Sequence, residues 1–333
     1  MPSVSALTFV ALAPVVGANT SGSMLGNGQV VVENERIRVL IEFGSWGLRE
    51  TYYALGSGEP VLVARGADAG ATFLGATADT GDRSRVASDY ATIGEEVISG
   101  RLKLEDIPPE LQPQPPLPGC AVTYAAPTLE RQPDGAQKLT LTGRTPEGDR
   151  IERVLTLAPG EDFLRTEVRL DISRALLVER FEDRLHFLPE GRPDFTWAPH
   201  LKMDEDTVFP DWTLKAPAAI VQKGRAAVSL IPDVEDLARD DVWRRCNLTL
   251  DLDVRPVPGP RLSYGLCPTS MMRFHTVYPH VPGQSVALDP GTYRFSYFLL
   301  IADDVPERQA HRRVVRFLWD RFGHRACNRC GMG

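Results

Sequence analysis

Apolar and polar residues alternate with a period of two along much of the chain, which is the pattern of strands that bury one face. Three such runs follow one another at Lys138–Thr142, Ile151–Leu157 and Phe163–Ile172. Short turns rich in Pro, Gly and Asp separate them, and connections of that kind join neighbouring antiparallel strands. The pattern therefore predicts an antiparallel meander.

Other parts of the chain carry the same strand pattern. Val30–Val32 and Ile37–Ile41 flank a short polar link, and two apolar runs flank the turn Gln222–Arg225, where Gly224 suits a positive φ. Strands and long helices do not alternate, which disfavours a parallel α/β sheet. We therefore predict an all-β sandwich, with further strands in CNLTLDLDV, RLSYGLCP, RFHTVYPH and GTYRFSYFLLIAD.

One helix is predicted near the C-terminus. Asp303 or Asp304 suits its N-cap, Pro306 its first turn and Gly323 its end. Apolar residues recur at helical spacing and predict an amphipathic face. Such a helix either folds back over the sheet or begins a further helical domain; its apolar face comprises Ala310, Val314, Phe317, Leu318 and Phe322.

These patterns divide the chain into a leader at 1–24, a sandwich domain at 25–302, and the C-terminal helix and tail at 303–333. Within the leader, Ser5–Gly17 is apolar and followed by small residues, like the core of a signal peptide, but no Lys or Arg precedes it. We expect a secreted or periplasmic protein, with a cytoplasmic location as the alternative.

Composition narrows the classes of partner. The 333 residues suit one large all-β domain, and 37 basic against 44 acidic residues give a net charge of −7. Without a basic cluster, nucleic acid is not an expected partner, and without an apolar run of about 18 residues neither is a membrane. The five cysteines do not form a disulfide framework, and the pair Cys327 and Cys330 lacks a second pair for zinc. We expect no metal and no cofactor.

The opening VVENERIRVLIEFGSWGLRE, the long run of strands and the closing VVRFLWDRFGHR together resemble a known module. Over roughly residues 25 to 323, the chain is similar to the large antiparallel β-supersandwich of the galactose-mutarotase-like superfamily. Such modules occur in front of (α/α)6-toroid glycoside hydrolases and polysaccharide lyases. The resemblance implies a carbohydrate ligand and a C-terminal (α/α)6 domain as a partner that this chain lacks. In stand-alone mutarotases, the sandwich itself supplies a His acid and a carboxylate base.

The first candidate site is the stretch Phe195–Trp212. Trp197 and Trp212 offer flat faces on which a sugar ring stacks. His200 is a candidate general acid, and Asp204 a candidate for contacting the sugar. Any of four carboxylates is a candidate base: Asp204, Glu205, Asp206 or Asp211. The alternative is a solvated acidic loop with tryptophans packed in the core.

The second candidate site is the stretch MMRFHTVYPH. Period-two alternation places Arg273 and His275 on the same side of a strand, with Tyr278 and His280 just beyond them. Arg and His on one sheet face suit an acidic or hydroxylated sugar. The alternative is a solvent-facing polar row.

The third candidate site is VERFEDRLHF. Glu179 or Glu182 is a candidate base for an acid at His200 or His275. The alternative is a set of cross-strand ion pairs. Alternation divides the stretch into two faces, with Glu179, Phe181 and Asp183 on one and Arg180, Glu182 and Arg184 on the other.

Together these features favour a glycoside hydrolase, or the N-terminal sandwich module of one, acting on poly- or oligosaccharide. Sugar rings would stack on a tryptophan, while a histidine and a carboxylate cleave the glycosidic bond. Two alternatives remain: a non-catalytic glycan-binding or structural module, and a sugar mutarotase or epimerase.

Overall fold

Two antiparallel sheets and two helices make up the part of the chain that the structure describes. The computed structural model describes residues 23–25, 28–44, 47–66, 72–81, 117, 119–125, 127–145, 148–189, 193–197, 212–214, 218–237, 246–251, 260–266 and 285–323. Neighbouring strands pair antiparallel in both sheets, so the predicted all-β class is confirmed.

The larger sheet contains twelve strands among the described residues. Its main path runs β1-β2-β3-β4-β5-β13-β19-β18-β15, and β6, β7 and β20 lie off that path. Its strands are β1 Ser23–Leu25, β2 Gln29–Glu33, β3 Ile37–Gly44, β4 Gly47–Ala54, β5 Val61–Gly66, β6 Thr72–Ala78, β7 Gly119–Ala121, β13 Leu176–Phe187, β15 Trp212–Leu214, β18 Cys246–Asp251, β19 Arg261–Leu266 and β20 Val286–Leu288.

The smaller sheet contains nine strands within the same described ranges. Its path runs β14-β16-β17-β21-β12-β11-β10-β8, with β9 paired to β10. Its strands are β8 Thr123–Tyr124, β9 Thr128–Arg131, β10 Gln137–Arg144, β11 Arg150–Leu157, β12 Phe163–Ile172, β14 Phe195–Trp197, β16 Ala219–Lys223, β17 Ala226–Pro232 and β21 Gly291–Ala302.

The predicted meander and hairpin are confirmed. β10, β11 and β12 pair consecutively and antiparallel, and β10 alternates buried and half-buried positions as the pattern requires. β16 and β17 pair around the two-residue turn Gly224–Arg225, where Gly224 has φ 55°. A residue with a Cβ would adopt that conformation only with strain.

β13 is the central strand of the larger sheet. Its residues Phe181–Asp183 pair with both β6 and β19, and Leu176–Val178 pair with both β6 and β20. A strand has one neighbour on each side, so β6 and β5 flank one edge of β13, and β19 and β20 flank the other. Phe181, Leu185 and Phe187 of β13 enter the main hydrophobic core.

A second apolar layer forms beneath the C-terminal helix. On β21, Leu299 and Ile301 belong to the core between the sheets, whereas Phe298 and Leu300 belong to a separate cluster with the helix. The helix therefore packs on the outer face of the smaller sheet. Its buried face comprises Ala310, Val314, Leu318 and Phe322.

The predicted start of this helix is wrong, and its predicted end is confirmed. α1 is a single turn at Val234–Leu237, and α2 runs from Ala310 to Phe322 with Gly323 as its C-cap. Asp303 does not cap α2, because it accepts hydrogen bonds from the Ser57 backbone and hydroxyl. Asp304 instead pairs with Arg313 at 2.8 Å. Asp303 therefore holds the turn at Ser57, and Asp304 contacts α2 through the Arg313 side chain and not as its N-cap.

Candidate functional site

A network of charged and hydroxyl side chains lies fully buried between the two sheets. Arg153 of β11 donates from Nε to Asp183 Oδ2 on β13 at 2.7 Å and from Nη1 to Glu50 Oε1 on β4. All three side chains are 0% exposed. This inner network is completed by hydroxyl groups: Tyr52 donates to Glu50, Tyr297 and Thr72 donate to Asp183, and Tyr124 donates to Thr72.

The charges of the inner network are mutually dependent. Burial raises the pKa of Glu50 above its usual value, although Arg153 and Tyr52 act in the opposite direction. Burial alone would lower the pKa of Arg153, but Asp183 and Glu50 outweigh it and raise that pKa well above its usual range. The inner network therefore links the two sheets. Because its charged groups have no contact with solvent, it offers no surface to a ligand.

A second set of charges lies on the opposite face of β13. Side chains alternate along a strand, so Glu182 and Arg184 point away from the core that Phe181 and Leu185 enter. Arg184 Nε donates to Glu182 Oε1 at 2.9 Å, and both side chains are buried, at 9% and 3% exposed. We call Glu179, Arg180, Glu182, Arg184 and Arg261 the outer charged cluster.

The guanidinium groups of this cluster control the ionisation of Glu182. Burial raises the pKa of Glu182, but the positive charges of Arg184, Arg180 and Arg261, with the hydrogen bond from Arg184, lower it to about 2. Burial likewise lowers the pKa of Arg184, and Glu182 opposes that effect. Glu182 is therefore a carboxylate at every physiological pH and a poor proton donor.

Neighbouring strands hold the outer charged cluster in place. The Arg184 guanidinium stacks on the Phe73 ring of β6 at 3.6 Å from the ring centroid. Gly265 of β19 pairs with Glu182, and a Cβ at Gly265 would lie 2.2 Å from the Phe181 carbonyl oxygen and 2.6 Å from Glu182 Cα. Only glycine allows β19 to approach β13 this closely.

A β-bulge changes the predicted arrangement of the charged stretch on β13. Alternation placed Glu179 on the face of Phe181 and Asp183, but the pairing register with β6 shifts between Val178 and Arg180. Glu179 accepts from the Leu117 backbone N–H at 2.6 Å and lies 4.0 Å from Arg180. Glu179 therefore groups with the outer charges, and Asp183 belongs to the inner network.

The two predicted tryptophans belong to strands of different sheets. Trp197 ends β14, where its backbone pairs with Ile220 in the smaller sheet. Trp212 begins β15, where its backbone pairs with Leu250 in the larger sheet. Both strands are at the ends of their sheet paths. The remaining predicted site residues lie outside the described residues: His200, Asp204, Arg273, His275, Tyr278 and His280.

Sequence reasoning missed the inner network and Arg261, whereas alternation had already placed Arg180 and Arg184 on the face of Glu182. Arg153 lies in a regular amphipathic run, at a position where alternation places a buried side chain. An Arg predicted to be buried needs carboxylate partners, and this was the signal that could have indicated the inner network. Arg261 had no such signal, because only the pairing of β19 with β13 brings it near Glu182. Within the described ranges, no group of three or more His, Cys, Asp or Glu is arranged to hold a metal ion.

No helix in the described part of the chain is both long and apolar enough to cross a bilayer. No protein-family model matches the sequence, and no curated protein matches it.

Several solved structures are similar over most of this chain. An α-mannosidase from Enterococcus faecalis V583 shares 12% identity over 91% of this chain and 32% of its own, with a TM-score of 0.46. The α-galactosidase of Lactobacillus brevis shares 10% identity over 90% and 43%, with a TM-score of 0.45. A TPR-domain-containing protein from Parabacteroides distasonis shares 11% identity over 85% and 48%, with a TM-score of 0.44. The chain spans less than half the length of each.

Proposed function

We propose that this chain is a carbohydrate-active sandwich, either a glycoside hydrolase or the sandwich module of one, and that it binds poly- or oligosaccharide. The outer face of the larger sheet, where β6, β13 and β19 meet, is the proposed binding surface. The single observation that carries this proposal is the outer charged cluster, in which Glu179, Glu182 and Arg184 are buried on the side of β13 away from the hydrophobic core.

Burying charges at this position opposes folding unless other interactions compensate. Removing charged groups from water costs several kcal/mol per ion, and a salt bridge only partly offsets that cost. Buried charges with strongly shifted pKa values concentrate at functional sites. Carboxylate and guanidinium groups are also the acceptors and donors that sugar hydroxyl groups need.

The chemistry of Glu182 makes it a binding group in this proposal. With its pKa lowered to about 2, it accepts hydrogen bonds from sugar hydroxyls but is too weak a base to take a proton efficiently. Glu179, close to Arg180 at the β13 bulge, is the remaining candidate base of the pair. Proton donation from His200 or His275 stays a prediction.

Several other contacts are part of the proposal. Stacking of sugar rings on Trp197 or Trp212 stays a prediction, as does a secreted or periplasmic location. The same holds for a following (α/α)6 domain as partner, and for sugar contacts from Asp204, Arg273, Tyr278 and His280.

A non-catalytic glycan-binding module is the second candidate function. The low pKa of Glu182 favours it, because a carboxylate held in its charged form suits binding better than proton transfer.

Incubation with a panel of polysaccharides tests the proposal. Reducing ends and the absorbance of unsaturated uronides would be followed, and calorimetry on the same glycans would measure binding. We expect new reducing ends from at least one glycan and loss of that activity in His200→Ala or His275→Ala. Binding without product would replace the hydrolase with the binding module. Neither binding nor product from any glycan would overturn the proposal.

A further inference from the structure

Arg184 is held in one orientation, and the described residues engage only part of its guanidinium group. Its Nε atom donates to Glu182, and its flat face stacks on Phe73. Among the described residues, no hydrogen-bond partner faces its two Nη atoms. A guanidinium edge with paired N–H groups is the geometry that binds a carboxylate through two parallel hydrogen bonds.

In the part of the chain that the structure describes, the charge around Arg184 favours an anion. The outer charged cluster holds three guanidinium groups against two carboxylates, a net charge of +1 on a chain whose net charge is −7. The neighbouring strands add one charge of each sign next to the cluster. Arg65 of β5 pairs with His186 of β13, and Asp251 of β18 pairs with Arg261 of β19. Among these described residues, positive charges therefore outnumber negative ones by one.

Fixing Arg184 in advance lowers the cost of binding. A free arginine side chain loses rotamer freedom when it grips a ligand, whereas Arg184 has already lost that freedom to Glu182 and Phe73. Because the side chain is more than nine-tenths buried, an ion pair there is also less screened than one at the surface.

We propose that Arg184 is the receptor for the carboxylate of an acidic sugar, so that the chain binds a uronate-containing saccharide. This inference rests on the proposed carbohydrate function and specifies its ligand class. Glu182 is a positioning residue in this scheme, because it orients the guanidinium group through Nε and leaves the outer edge to the ligand.

Calorimetry with a short oligogalacturonate and its fully methyl-esterified form tests the inference, because the two ligands differ in charge and share a backbone. We expect the acid form to bind at least about tenfold more tightly, the gain typical of one charge-assisted bidentate pair. Dextran sulfate against dextran distinguishes a sulfate ester from a carboxylate. Citrate distinguishes a simple anion site from a sugar site.

Arg184→Lys is the matched variant, because it keeps the positive charge beside Glu182 and removes the fork. We expect about a tenfold loss of affinity for the acid form and no change for the ester. Arg165→Lys, at an exposed ion pair of the smaller sheet, is the control and should leave binding unchanged. If Arg184→Lys does not fold, Phe73→Leu frees the guanidinium group while keeping its pair with Glu182, and a several-fold loss is expected.

Each of the following results would overturn one specific part of the proposal. Equal affinity for acid and ester would overturn the inference and leave the proposed carbohydrate function standing. Preference for dextran sulfate over oligogalacturonate would overturn the carboxylate assignment in favour of a sulfate ester. Binding of citrate with no binding of any sugar would keep the anion fork and overturn the carbohydrate function. Unchanged affinity in a folded Arg184→Lys would remove Arg184 from the site.

Discussion

Two buried glutamates show how position decides the chemistry of one residue type. Glu182 has guanidinium groups around it, and its pKa falls to about 2. Glu50 is fully buried in the core, and burial raises its pKa although Arg153 lies beside it. Glu50 lies on a strand with regular alternation, and Glu182 lies just after the bulge of β13. Their different pKa values depend on side chains brought in by strands distant in sequence, which no local pattern reveals.

Glu182→Gln should lose stability in a pH-dependent way. A lowered folded-state pKa contributes stability that is present above the unfolded value of 4.5 and is lost as pH falls toward about 2. At neutral pH that contribution is on the order of 3 kcal/mol. Urea unfolding from pH 7 down to pH 2 should show a large difference from the wild type that shrinks on acidification.

Glu152→Gln is the matched control for this series, because its pair with Arg150 lies at the surface. Its effect should stay within about 0.5 kcal/mol. A difference between Glu182→Gln and the wild type that does not change with pH would contradict the pKa argument.

At the scale of elements, α2 shows what a sequence pattern can and cannot predict. Its apolar face was predictable, because Val314, Leu318 and Phe322 recur at helical spacing. Its start was not, because Asp303 is drawn to Ser57, some 246 residues earlier in the chain. The same applies to β13, whose strand pattern was clear but whose bulge at Glu179 arises only from pairing with β6.

Phe317→Ala should loosen α2. Phe317 stacks on Phe163 with ring centroids 3.9 Å apart and meets Phe298 edge-on at 5.1 Å. Because the ring is half-buried, we expect a loss of about 2 kcal/mol, below the range for a fully buried Phe. Hydrogen exchange of the α2 amides, measured beside the global unfolding free energy, should show faster exchange in this helix first.

Trp319→Ala is the matched control, since it removes an aromatic ring from the same helix at a position that is 53% exposed. We expect an effect within about 0.5 kcal/mol. If Trp319→Ala destabilised α2 as much as Phe317→Ala does, the packing of the Phe163–Phe317 pair would not be what holds the helix.

At the scale of the whole molecule, the inner network joins the two sheets through three side chains of the smaller sheet, Arg153, Tyr124 and Tyr297, and Arg153 carries the charge. Arg153 comes from the smaller sheet, and its partners Glu50 and Asp183 come from the larger. The two-sheet architecture was predictable from alternation alone. The polar contact inside it was not, because the pairing of these three residues requires the relative placement of the sheets.

Arg153→Met should destabilise the fold by about 3–5 kcal/mol, because it leaves two carboxylates buried without their counter-charge. The triple variant Arg153→Met, Glu50→Gln, Asp183→Asn should recover much of that loss, since it removes the charges together. Denaturant unfolding measures both. Arg169→Met, at an exposed pair with Asp171, is the control and should change little. A triple variant as unstable as the single one would show that shape, not charge, makes Arg153 necessary.

The two faces of β13 have a further consequence. Asp183 serves the inner network, while Glu182 and Arg184, its immediate neighbours, serve the outer cluster. Side chains on β13 thus alternate between its two faces with a period of two residues. Losing a single residue between Phe181 and Arg184 would exchange the faces and place the wrong charges in the core, whereas losing a pair would keep every later residue in phase. The bulge at Glu179 shifts this alternation by one residue, so the assignment of side chains to faces before the bulge is independent of the assignment after it.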